Sequence, residues 1–127
     1  SEKRMIRAMV AKGALERAEE ACSDAIEGLV ASGASLKTVG GAQMILGTVL
    51  LRMFRYEESL EALTRSLSLL SSHQGHPLDV ANTHLEMGIC LERLGQLDRA
   101  TDSFLLALES RLQVLDSNHL LVAGSLV

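Results

Sequence analysis

Aromatic residues are nearly missing from this chain. Two phenylalanines, one tyrosine and no tryptophan stand among 127 residues, and proline occurs once. β-Sandwiches draw heavily on aromatic and β-branched side chains. Their scarcity in a sequence rich in leucine and alanine favours helix instead. A basic surplus is also lacking. The formal net charge is −4 with both signs interspersed, which argues against the basic stripe of a nucleic-acid-binding surface. No run of about 20 apolar residues occurs, so no membrane-spanning helix is expected. The opening residues do not read as a secretory signal, because Arg7 and Lys12 interrupt their apolar stretch. Only two cysteines are present, Cys22 and Cys90. Both fall inside helical patterns and read as small buried residues in a reducing, cytoplasmic compartment.

Arrangements that would carry chemistry are equally scarce. The stretch from Gly40-Gly41 to Gly47-Thr48 has neither the lysine nor the spacing of a phosphate loop. No serine, histidine and acid share a nucleophile-elbow context. Glu57, Glu58 and Asp98 sit at expected helix starts, where exposed amides already favour a carboxylate. His73 and His76 are one helical turn apart, but no cysteine or carboxylate cluster completes the four ligands of a closed zinc site. The expectation is therefore a protein that is not an enzyme, with no cofactor and no metal.

What the sequence does contain is a pattern that repeats. His76-Pro77-Leu78-Asp79 opens a helix, with proline at a first-turn position and Asp79 near the positive end of the dipole. Val80, Ala81, Leu85, Gly88, Ile89 and Leu91 follow at helical spacing. Gly95 ends that helix, and a second begins near Leu97-Asp98 with Ala100, Phe104, Ala107, Leu108 and Leu112 inward. Sliding this pattern back by 41 residues places Ala100 on Ser59 and Ala18, Phe104 on Leu63 and Cys22, and Ala107 on Ser66 and Ala25. The same shift puts Gly88 on Gly47, and Leu97 on Tyr56 and Leu15. A fixed period in this range marks a stacked helical array.

The order Gly88, Leu91, Gly95, Leu97, Ala100, Phe104, Ala107 resembles the tetratricopeptide repeat. The longer period and the phrase His76-Pro77-Leu78-Asp79-Val80-Ala81 are similar to its kinesin-light-chain-like subgroup. The resemblance implies an all-α, right-handed superhelical solenoid of antiparallel helix hairpins. It implies one domain, with repeats over about 1–33, 36–74 and 77–116 and a partial fourth helix over 118–127. The first unit is expected to turn at Gly13, after a basic amphipathic helix carrying Met5 and Met9. Ile6 departs there from the small residue the family places at its eighth position. In the second unit the helix over 36–53 is unusually apolar and is expected to start late, near Gly41, with Phe54 standing where the turn glycine usually falls. Asp116-Ser117-Asn118 is expected to cap the last helix, whose ending is almost wholly apolar.

In the resembling family, first helices line a concave groove that takes a peptide segment or a partner helix. Carried over position by position, the groove candidates are Lys3 and Arg7, with Val10 and Ala11, in the first unit. They are Met44, Thr48, Leu51 and Arg52, with Gly41, in the second, and Asn82, Leu85, Ile89, Glu92 and Arg93 in the third. Methionine suits adaptable apolar contact and arginine suits acidic side chains. The expected ligand is therefore a protein segment that is apolar and acidic, bound by a non-catalytic adaptor. The alternative is that Met44, Leu85 and Ile89 pack beneath a neighbouring helix. A structural role is the competing expectation: the apolar ends would join copies into a homo-oligomer, or mark a piece of a longer array.

Overall fold

The computed structural model describes residues 1–72 and 77–125. Five helices make up the fold of the described residues: α1 (Glu2–Ala31), α2 (Leu36–Arg52), α3 (Tyr56–Ser72), α4 (Pro77–Arg93) and α5 (Leu97–Ser125). Helices α2 with α3, and α4 with α5, form two antiparallel hairpins that stack through α3 and α4, while α1 packs on α2. The architecture is an all-α solenoid, as the sequence pattern predicts.

Ser35 caps α2, its Oγ accepting from the Thr38 amide at 3.2 Å. That cap sets the start of α2 at Leu36 and overrides Gly40-Gly41, so the expected late start near Gly41 does not occur. The two hairpin turns are copies of each other. The Arg55 amide donates to the Leu50 carbonyl at 3.0 Å, and the Gln96 amide donates to the Leu91 carbonyl at 2.8 Å. Both turns need one residue in the left-handed region, filled by Gly95 at φ 80° and, one period earlier, by Phe54 at φ 62°. Glycine accepts that conformation freely, whereas a side chain there costs about 1–2 kcal/mol.

The core lies where the paired helices cross. An added Cβ on Gly47 would stand 2.6 Å from the Leu63 side chain, and one on Gly88 would stand 2.5 Å from the Phe104 ring. The absent side chain is what lets each large partner lie flat across the first helix. Around these contacts Ala62, Leu63, Leu70, Ala81, Cys90, Leu91, Ala100 and Ala107 are buried. Each fully buried leucine contributes about 1.5–3 kcal/mol. Ser59 and Ser66 are buried where the next hairpin has Ala100 and Ala107. Their hydroxyls donate to the Gly47 and Gly40 carbonyls at 2.6 and 2.7 Å, so neither polar atom is left unpaired.

Two expected breaks are absent. Residues 2–31 form one continuous helix in place of a hairpin turning at Gly13. Gly13 is flanked by Ala11, Lys12, Ala14 and Leu15, all good helix formers, and a lone glycine costs only about 1 kcal/mol against alanine. Likewise α5 runs through Asp116-Ser117-Asn118 to Ser125. That stretch has no proline to stop it, unlike the Pro77 boundary. His73 and His76, and the side chains of the apolar ending from His119, lie outside the described residues.

The crossing contacts yield a paired prediction. Gly88→Ala should lower stability by about 1–3 kcal/mol, because the new methyl meets Phe104. Gly41→Ala, with nothing within 4 Å of its added Cβ, should raise it by about 0.5–1 kcal/mol. Thermal unfolding of the two variants beside wild type checks both signs.

Candidate binding groove

Helices α2 and α4 run side by side as the first helices of the two hairpins. Between them lies a cavity of about 190 Å³ lined by Met44, Thr48, Asn82, Leu85 and Glu86. Four of these five are groove candidates from the sequence, drawn from positions separated by one repeat. Leu51 and Ile89 are half-buried, and Arg52, Glu92 and Arg93 are exposed toward the helix ends. Arg52 and Arg93 occupy equivalent places in the last turns of α2 and α4. Lys3 and Arg7, by contrast, sit on the exposed front half of α1, away from the walls of this cavity. With no turn at Gly13, that half of α1 continues the same helix as residues 14–31.

Glu86 is the residue that sequence reasoning missed. Its Oε2 accepts from the Thr48 hydroxyl at 2.7 Å. The Met44 carbonyl, 3.1 Å away, is the alternative acceptor for that proton. Burial pushes the Glu86 carboxyl above its ordinary range, and the Thr48 hydrogen bond and the charge of Arg52 oppose that shift. Its partner Thr48 lies 38 residues earlier, so no local pattern in the sequence marked it. Asn82 is fixed from a third element: Arg111 of α5 donates from Nη2 to its Oδ1 at 3.1 Å. The groove thus has an apolar pair, Met44 and Leu85, set among polar groups that already hold one another.

A larger cleft lies to one side, between the middle of α1 and the α2–α3 turn. It measures about 730 Å³, and Ala8, Ala11, Leu15, Met53 and Phe54 are among its walls. Arg55 ties the two walls together, donating to Glu19 of α1 at 2.6 Å and also pairing with Glu58. Lys3 and Arg7 do not line this cleft either.

Among the described residues no group of three or more His, Cys, Asp or Glu side chains is placed to hold a metal. No described helix is long and apolar enough to cross a membrane. Cys90 is buried, its thiol pushed up by burial and donating to the Ser59 hydroxyl at 3.4 Å, and Cys22 is half-buried and free. The model of the tetratricopeptide repeat family matches residues 38–113, which is more than half of the chain and runs from the start of α2 well into α5. No curated protein matches the sequence.

One titration follows from the packing of α4. Burial holds the His84 imidazole below its ordinary value of 6.5. The unfolded chain therefore binds that proton more readily, and His84 contributes stability above pH 6.5 that is lost as pH falls through the lower folded value. The difference in melting temperature between wild type and His84→Gln, followed from about pH 7.5 to about pH 5, should shift against wild type on acidification.

Proposed function

The chain belongs to the tetratricopeptide repeat family, and on that premise we propose that it is an adaptor which takes a segment of another protein into the groove between α2 and α4. Repeats of this family mediate protein–protein interaction and are typically non-catalytic. The observation that carries the proposal is the convergence of Met44, Thr48, Asn82 and Leu85 on one cavity, although they come from two helices. The bound segment places an apolar side chain between Met44 and Leu85. Its acidic side chains meet Arg52 and Arg93, the equivalent guanidiniums at the groove's edge. The 41-residue period and the Pro77-Leu78-Asp79 opening support membership of the kinesin-light-chain-like subgroup. Two free thiols support a reducing, cytoplasmic setting.

Self-association is a second reading, favoured by one observation. Met5, Ile6, Met9 and Val10 on the front half of α1 are each more than half exposed, an apolar surface of the kind that marks an interface. Light scattering over a range of concentrations separates a monomer from a dimer. Ile6→Glu should return any dimer to monomer.

Peptide display on the immobilised chain tests the adaptor reading. Selected peptides should combine aliphatic and acidic residues. Leu85→Lys should weaken them by about tenfold or more, the loss of one well-placed contact. The double variant Arg52→Ala/Arg93→Ala should weaken only the acidic ones. Peptides that bind wild type and Leu85→Lys equally would remove the groove from the account.

A further inference from the structure

We infer that copies of this chain join head to tail, the front half of α1 in one copy lying along an exposed leucine row on α5 of the next. This contact rests on the self-association reading and is independent of the groove.

The α5 helix carries more leucine than its own hairpin buries. Leu97, Leu105, Leu108, Leu112 and Leu115 are between 49% and 62% exposed. Leu105 and Leu112 stand one period after Thr64 and Ser71, so the repeat itself does not call for leucine there. From Leu105 to Leu115 the spacing alternates between three and four, the seam that receives another helix. Asp102, Glu109 and Asp116 recur every seven residues along one flank of that seam, where charges select a partner helix. Among the described residues none of these three carboxylates forms an ion pair. The two cations of this stretch are turned elsewhere, Arg111 to Asn82 and Arg99 to Gln96. Helix α4, packed against α5, adds Asp79, Glu86 and Glu92 against Arg93 and leaves the sign negative.

The front of α1 is the complement. Met5, Ile6, Met9 and Val10 are exposed, and their spacing puts them on one side of the helix. Up to Gly13 this segment has Lys3, Arg4, Arg7 and Lys12 against Glu2 alone. Glu16 and Arg17 then cancel, and the remaining acids of α1 begin at Glu19. Helix α2, packed against α1, adds Lys37 and Arg52 and no acid. The leucine row from Leu97 to Leu115 is about 27 Å long, enough for the roughly 17 Å between Glu2 and Gly13.

Charge also decides which faces meet. Pairing α5 with α5 would set Asp102, Glu109 and Asp116 against their own copies, and pairing α1 with α1 would do the same to Lys3, Arg4 and Arg7. Like charges set opposite one another oppose association. Only α1 on α5 joins apolar to apolar with opposite signs beside them. Among the described residues α1 packs only on α2, and α5 only on α4. The two faces therefore stand at opposite ends of the stack and meet between copies, which add until a ring closes.

Sedimentation velocity on the whole chain tests this contact. Wild type should associate as its concentration rises. Ile6→Glu and Leu108→Lys, both at exposed positions, should keep their helical circular dichroism and each sediment as a monomer. Mixed in equal amounts they should form a one-to-one dimer, because each retains the face that the other has lost. Should Leu108→Lys fail to fold, Leu105→Lys serves in its place. Asp102→Lys/Glu109→Lys should weaken association by about tenfold or more. A wild type that stays monomeric at every concentration overturns this contact and the self-association reading together. Association that survives Leu108→Lys, a mixture that stays monomeric while wild type associates, or undiminished association of the charge variant overturns the head-to-tail contact alone.

Discussion

Each hairpin closes because a large side chain of its second helix lies where the first helix has no side chain at all. Leu63 crosses Gly47 and Phe104 crosses Gly88, at the same interval of 41 residues. This contact sets how near the helix axes come. Nearness then brings backbone carbonyls within reach of buried hydroxyls, which is why Ser59 and Ser66 can stand where the other hairpin has alanine. It also fixes α2 and α4 in equivalent poses. Positions one repeat apart therefore face a common space, and the cavity between Met44 and Leu85 follows from the crossing rather than from any local motif.

The first unit shows what happens when that condition is not met. One period before Gly47 stands Ile6, and one period before Leu63 stands Cys22. The sizes are reversed, and the crossing seen twice elsewhere is not formed. The backbone keeps its local preference and α1 runs straight. The consequence is visible in exposure. Ala62 and Ser66 are buried, whereas their counterparts Ala21 and Ala25 are exposed. Identical register gives a buried face where a first helix covers it and an open one where none does.

That contrast explains how far the sequence could be read. The α4–α5 hairpin was legible because proline, glycine and the crossing residues all marked the same boundaries, and the α2–α3 hairpin followed from it by the 41-residue offset. Gly13 and Asp116-Ser117-Asn118 carried turn-like residues alone, without the packing that stabilises a turn, and helix propensity won at both. The groove was half legible. Met44, Thr48, Asn82 and Leu85 could be carried over by position, because equivalent positions share a face. Glu86 could not, since its meaning depends on Thr48, 38 residues away. Phe54 was visible as an oddity of the turn, but its exposure and the cleft beside it belong to the approach of α1, which no local pattern encodes.

Arg52 stands between the two concavities of the molecule. It lines the cleft beside Phe54, and its charge also offsets the burial of Glu86 in the groove. A guanidinium exposed to solvent can turn toward either side. One side chain at the end of α2 therefore borders both concavities.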